Sequence, residues 1–317
     1  MKKVFIDGSS GTTGLRIHER LRSRSDLRLL ELPEALRKDP AARRDMLNQA
    51  DIAFLCLPDA AAMEAVDMIE NDRTVVIDTS TAHRTAEGWV YGFPEIHGAR
   101  GTIRNAHRIA NPGCHASGFV SLIAPLTERG LLPANAHLSC WSLTGYSGGG
   151  KNMIAQYEED ELPLYFDAPR AYGLTQKHKH LPEMQKLCGL SRPPAFSPIV
   201  ASYYSGMEVS VTLFADELNG TIEDVRELYR SYYTGRLVRY IDGGDEAGFL
   251  SASRLSGYDN MLIGVFGSED RIQLVSRFDN LGKGASGAAI QNMNLVLGEE
   301  ETTGLEIMEE TEYDSEN

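Results

Sequence analysis

The sequence predicts an α/β fold in which a Rossmann-type doubly wound parallel sheet is joined to a second α+β domain with a mainly antiparallel sheet. Three observations predict it. Short apolar runs alternate with helical stretches from Val4 to Asp78, the pattern of β-α-β units. A glycine turn, "DGSSGTTG", separates the first run from the first helical stretch. Beyond Asn111 the apolar segments lengthen, gain Ser, Thr and Tyr, and partly alternate, as strands of a sheet packed on one face do.

The elements follow in order. Val4 to Ile6 forms a strand that stops at the glycine turn, after which Leu15, Ile17, His18 and Leu21 recur at helical spacing. Leu27 to Leu32 is the second strand, and a polar helical stretch runs from there to Gln49. "DIAFLCLP" is an unbroken apolar run suited to a strand buried on both faces. A helix from Asp59 to about Glu70 leads into the strand "TVVID". "HLSCWSLTGYSG", "AFSPIVASYYSGMEVSVTLFA" and "RIQLVSRFDNLGKG" supply the later, longer strands, and "GKGASGAAIQNMNLVLG" a final helix dense in small residues. The expected boundaries are 1–113 for the dinucleotide-binding domain, with a helix at 284–298 returning to it, 114–283 for the second domain, and 299–317 for an acidic tail.

At 317 residues, 42 % hydrophobic and 24 % charged, the chain has the composition of an ordinary folded protein. Its net charge of -14 argues against nucleic acid and anionic membranes as partners. Nine of its acids and no base fall between Glu299 and Glu316, so this end is expected to be solvated and frayed. Cys56, Cys114, Cys140 and Cys188 lie far apart with no CxxC pair and no zinc-site spacing, which argues against a disulfide framework and a zinc site; no metal is expected. No run reaches the length of about 18 apolar residues that a membrane helix needs, and a cytoplasmic protein is expected.

Gly8, Gly11 and Gly14 are spaced GxxGxxG, between a strand and a helix, where backbone N-H groups and the helix dipole can hold a pyrophosphate; Thr12 and Thr13 add hydroxyls. The residues leave the choice of nicotinamide open. Glu31, at the end of the second strand, suits the ribose 2′-hydroxyl of NAD, whereas Arg37 and Lys38 suit the 2′-phosphate of NADP.

In "ANPGCHASG", Pro112 and Gly113 break a strand and place Cys114 in the first turn of the following helix, where unpaired N-H groups stabilise a thiolate and can hold an oxyanion. Asn111 adds a further donor. Cys56, in "AFLCLP", reads as a small buried hydrophobe, and so do Cys140 and Cys188. His178 and His180 in "QKHKHLPEM" stand two apart, so that an extended segment would point both imidazoles the same way for proton transfer. "TGYSGGGKNM" offers an anion nest with Lys151, and "DTSTAHR" puts Arg84 past the fourth strand, at the sheet edge where ligands bind.

The segments "GSSGTTG", "DTSTAHR", "YGFPEI", "NPGC", "KHKHLPEM" and "NLGKGASGAAIQNMNL", in this order, resemble the N-acetyl-gamma-glutamyl-phosphate reductases in their shorter form, from about Val4 to Leu297. The resemblance implies an enzyme of arginine biosynthesis that takes an acyl-phosphate substrate and NADPH. It implies Cys114 as nucleophile and His178 as its acid/base partner, His180 being the less favoured candidate. Substrate contacts would come from Asn111, Arg84, Lys151 and His180. The cofactor would be met by Gly8, Gly11, Thr12, Thr13, Gly14, Arg37, Lys38, Ser80, Gly284 and Asn292. His83 stands where the commoner pattern has an aromatic residue before the arginine. The resemblance also implies a homo-oligomer, dimer or tetramer, built through the second, catalytic and dimerisation domain. Aspartate-semialdehyde dehydrogenase is the nearest rival, and a nucleotide-sensing module without turnover is the rival from another class.

Overall fold

In a computed structural model that describes residues 1–309, the chain divides into two compact units. The first holds residues 1–94, 98–113 and 285–305, the second 95–97, 114–284 and the segment from Glu306 onward.

The first unit begins with β1 (Lys2–Asp7), α1 (Thr12–Leu21), β2 (Leu27–Leu30), α2 (Pro40–Gln49), β3 (Ile52–Leu55), α3 (Asp59–Asp67) and β4 (Val75–Asp78). It continues with β5 (Val90–Tyr91), α4 (Arg100–Arg104) and β6 (Arg108–Ala110). Its six strands run in the order β2-β1-β3-β4-β6-β5, every pair parallel. Apolar residues fill both faces of these strands because both faces are covered. Val4, Ile6, Phe54 and Ile77 pack with Ile17 and Leu21 of α1, while Phe5, Ala53, Leu55 and Val76 pack with Leu47 of α2 and Ala62 of α3. α2 starts where its sequence says it should: Asp39 accepts a hydrogen bond from the Ala42 N-H, and Pro40 occupies the first helical position. β2 ends at Leu30, one residue before Glu31.

The second unit comprises α5 (Cys114–Glu128), β7 (Ser139–Gly145), α6 (Gly150–Tyr157), β8 (Arg170–Ala171), α7 (Leu181–Leu187), β9 (Ala195–Ala201) and β10 (Met207–Phe214), then α8 (Ile222–Tyr232), β11 (Val238–Tyr240), β12 (Met261–Gly267) and β13 (Arg271–Phe278). Its seven strands run β11-β12-β13-β10-β7-β9-β8. The sheet is mixed: β11 pairs with β12 and β7 with β9 in parallel, and the other four pairs are antiparallel. α5 lies on β10 and β13, and approaches so closely that a side chain at Gly118 would strike Val209. The opposite face carries half-buried Trp141, Leu143, Ile199 and Phe266.

The chain then makes a turn of π-helix at Gly282–Ser286 and enters α9 (Gly287–Leu297), whose Ile290 and Met293 join the core of the first unit. The acidic end departs from expectation over its described part. Glu301 takes hydrogen bonds from Arg100 (2.6 Å) and Gln291 (2.8 Å), Glu306 pairs with Asp259 through the backbone, and Met308 is buried. Hydrogen bonding and an apolar anchor outweigh the charge repulsion that composition alone suggests. Residues 310–317 of the expected tail lie outside the described residues.

Candidate active site

Cys114 is the first residue of the 15-residue helix α5, as the Pro-Gly break predicts, so its sulfur stands at the positive end of the helix. Gly284 is packed against it. A Cβ at Gly284 would lie 2.9 Å from the Cys114 Cβ and 3.1 Å from the Asp279 carbonyl oxygen, so no other residue fits without displacing the cysteine. Gly284, expected beside the cofactor, packs against the Cys114 side chain.

A cluster of rings belongs to the same unit. His178 and His180 lie with ring centroids 4.7 Å apart, edge to face, and His115 is 5.4 Å from the first and 5.6 Å from the second. The two expected histidines are brought together, though by the turn leading into α7 and not by an extended segment. His178 Nδ1 accepts the backbone N-H of His180 (3.2 Å), so a neutral His178 ring carries its proton on Nε2. His180 is buried, its Nε2 4.0 Å from a carboxylate oxygen of buried Glu183.

Sequence reasoning missed His115. Its Nδ1 pairs with the Ser142 hydroxyl at 2.7 Å and its Nε2 with the Tyr172 hydroxyl at 2.6 Å. Burial, reinforced by the positive charges of His178 and Lys179, pushes its pKa down to about 3, so this ring is neutral and serves as a fixed strut. Tyr172 was missed too. Burial, with a contribution from the nearby charge of Cys114, holds its phenol above the ordinary range. The available signal for His115 was its place beside Cys114; Tyr172 carried none.

In the first unit, Asp78 organises the loop that carries Arg84. Its carboxylate accepts from the Ser80 N-H (2.9 Å), the Ser80 hydroxyl (2.7 Å) and His83 Nδ1 (2.6 Å). His83 stacks on Trp89 with ring centroids 4.0 Å apart, so it supplies the flat ring that the commoner pattern takes from an aromatic residue and adds a hydrogen bond to the carboxylate. Arg84 donates to the carbonyl oxygens of Asn111 (3.0 Å) and Thr79 (3.1 Å). Asn111 is buried and donates to the Ala285 carbonyl (3.0 Å). In the second unit, Lys151 is exposed in the first turn of α6. The residues before it, Tyr146–Gly149, wind into a tight 3-10 turn, and Gly150 sits at φ 70°, ψ -168°; the expected anion nest, which needs alternating right- and left-handed helical residues, is not formed.

The glycine turn fits a dinucleotide. Gly8 has φ +87°, and a Cβ there would lie 2.3 Å from the Cys56 carbonyl oxygen; one at Gly14 would lie 2.5 Å from the Gly8 carbonyl oxygen. Beside the turn lies a cavity of about 800 Å³, whose walls include Gly8, Ser9, Ser10, Glu31, Arg37 and Lys38. Gly11, Thr12, Thr13 and Gly14 stand at the start of α1 and do not line it. Asn292 donates to the Gly92 carbonyl (2.9 Å) and to Asn111 Oδ1 (3.3 Å), while its own buried Oδ1 accepts no hydrogen bond, leaving an acceptor of the kind a carboxamide would use. Among the described residues there is no group of His, Cys, Asp and Glu fit to hold a metal ion, and no helix is long and apolar enough to cross a membrane.

Comparison with known proteins agrees with this architecture. Residues 31–106 match the family model described as "Semialdehyde dehydrogenase, NAD binding domain", and residues 114–280 the one described as "Semialdehyde dehydrogenase, dimerisation domain". The glycine turn precedes the first of these matches. The N-acetyl-gamma-glutamyl-phosphate reductase of Sinorhizobium medicae is 48 % identical over 305 residues, covering 93 % of this chain and 98 % of that protein. That of Brucella ovis is 47 % identical over 306 residues, covering 93 % and 99 %. Aspartate semialdehyde dehydrogenase II of Vibrio cholerae shares the fold with a TM-score of 0.69 at 18 % identity, over 94 % of this chain and 98 % of that one. The enzyme of Francisella tularensis does so at 0.70 and 16 %, over 94 % and 100 %.

Proposed function

The chain belongs to the N-acetyl-gamma-glutamyl-phosphate reductase family, and from this we propose that it reduces N-acetyl-L-glutamyl 5-phosphate with NADPH to the 5-semialdehyde and phosphate, a step of arginine biosynthesis. The observation that carries the chemistry is Cys114 at the first position of α5, in electrostatic reach of Tyr172 and held by Gly284.

The helix N-terminus favours the Cys114 thiolate, which attacks the acyl carbon. The tetrahedral oxyanion is met by N-H groups of the first turn of α5, the bond to the phosphate oxygen breaks, and a thioester on Cys114 remains. Arg84 or Lys151 offsets the charge of the departing phosphate. NADPH supplies the hydride that reduces the thioester carbon. His178, with its proton on Nε2, donates to the thiohemiacetal oxygen and takes the proton back as the carbonyl reforms and the thiolate leaves. His180 is the second candidate for that transfer, oriented by Glu183. Gly8, Gly11, Thr12, Thr13 and Gly14 fit the pyrophosphate, Arg37 and Lys38 the 2′-phosphate, and Ser80 and Asn292 the nicotinamide side.

The half-buried apolar face of the mixed sheet, opposite α5, suits a second copy of the chain, in keeping with the name of the family model that spans it. Light scattering on Trp141→Glu, expected to be monomeric, tests that pairing. Four free cysteines suit a reducing cytoplasm.

An assay of NADPH oxidation with N-acetyl-glutamyl phosphate, beside aspartyl phosphate, tests the reading. Wild-type protein is expected to turn over the first, and Cys114→Ser to lose at least about a thousandfold of that rate. Preference for aspartyl phosphate would move the chain's activity to the neighbouring dehydrogenases; turnover unaffected by Cys114→Ser would remove the thioester.

A further inference from the structure

One acid in the cofactor cavity is at odds with NADPH. Glu31 follows the end of β2, where a carboxylate accepts hydrogen bonds from the 2′-hydroxyl of NAD and repels the 2′-phosphate of NADP. In this structure the carboxylate is already taken: His18, on α1, places its Nε2 2.7 Å from Glu31 Oε1. Both side chains line the cavity, His18 mostly buried and Glu31 exposed.

The remaining charges there point the same way. Asp7 and Arg43 cancel each other in a buried pair, with Arg43 Nη2 3.0 Å from Asp7 Oδ2. With His18 on Glu31, three cations are left, Arg22, Arg37 and Lys38, facing one further carboxylate, Glu34. Among the described residues none of the three cations is engaged in an ion pair. Arg22, the C-cap of α1, follows His18 by four residues with helical backbone angles, so the two lie on one face. This local excess of positive charge, in a chain of net charge -14, suits a doubly charged phosphate better than a hydroxyl.

We propose that His18 is a specificity-determining residue: by engaging Glu31 it withdraws the carboxylate that would select NAD, and with Arg22 joining Arg37 and Lys38 it converts the cavity into a site for the 2′-phosphate of NADPH. This rests on the cofactor reading given above, and adds to it one residue of α1, the residue that caps that helix, and a function for the acid that sequence alone left in conflict.

Calorimetric binding of adenosine 2′,5′-bisphosphate and of AMP isolates the adenosine end from the chemistry at Cys114. Wild-type protein is expected to prefer the bisphosphate. His18→Ala frees Glu31 and is expected to weaken bisphosphate binding about tenfold, equivalent to about 1.4 kcal/mol, with AMP changed less than about twofold. Glu31→Gln is expected to leave bisphosphate binding intact. The double variant His18→Ala/Glu31→Gln is expected to recover it, because no carboxylate is then left for His18 to hold. Arg22→Ala is expected to weaken the bisphosphate alone, and more so at low salt. A His18→Ala loss that persists in the double variant, or no loss at all, overturns the proposal. So does equal wild-type affinity for the two ligands, which leaves the dinucleotide site standing. Binding of neither ligand removes the dinucleotide site itself, and the proposal with it.

Discussion

At the scale of single residues, the proposed nucleophile depends on neighbours that leave no room for error. A Cβ added at Gly284 would come closer to the Cys114 Cβ than real Cβ atoms do, and the other atoms around it, the Asp279 carbonyl and the Phe278 ring, belong to a strand end and a buried core side chain. Gly284→Ala is therefore expected to push the cysteine off its position. Since misplacement of a reacting group by about 1 Å costs on the order of a hundredfold, kcat should fall by about that factor while circular dichroism stays native. An unchanged kcat would show that the contact does not position the thiol. Cys114 was legible in the sequence because Pro-Gly before a helix is a local signal. Gly284 was legible only as a residue of a motif, and its partner, 170 positions earlier, was not.

At the scale of elements, the turn between β1 and α1 shows two glycines needed for different reasons. Gly8 holds a left-handed backbone, φ +87°, against the Cys56 carbonyl, whereas Gly11, at φ -73°, has its nearest atom 3.4 Å from an added Cβ. Gly8→Ala is expected to cost at least the 1–2 kcal/mol or so of left-handed strain, plus the collision with β3, and to weaken NADPH binding. Gly11→Ala should be tolerated within about 0.5 kcal/mol. Urea midpoints and equilibrium binding of the two variants check the contrast. The short strands and helices of this unit were readable because each apolar run is bounded by turn residues. β5, α4 and β8 were not, because two- to five-residue elements are made by their neighbours and not by a periodic pattern of their own.

At the scale of the whole molecule, two buried titrating groups set opposed slopes of stability with pH. His115 has its pKa depressed to about 3, so the unfolded chain binds a proton that the folded one refuses, and stability is lost as pH falls from about 6.5 toward 3. Glu208, in β10, is buried and has its pKa raised to about 7, burial outweighing the attraction of Arg277; its contribution is complete below about 4.5 and is lost as pH rises through 7. Each slope is at most about 1.4 kcal/mol per pH unit for the single proton involved. Denaturant midpoints at pH 5 and pH 8 should show His115→Asn flattening the acid side and Glu208→Gln gaining relative stability on the alkaline side. The absence of both changes would mean that neither group titrates as its burial implies.

The sequence by itself determined the class of fold, the glycine turn, the cysteine at a helix start and the family, because periodicity, chain breaks and short motifs act over a few residues. Only the tertiary structure decided that the second sheet is mixed, that His115 and Tyr172 stand with the two expected histidines, that Glu301 and Met308 pin down an end that composition marks as solvated, and that His18 reaches Glu31. These depend on pairings between distant positions, whose energies exist only once the chain has brought them within a few ångströms and out of water.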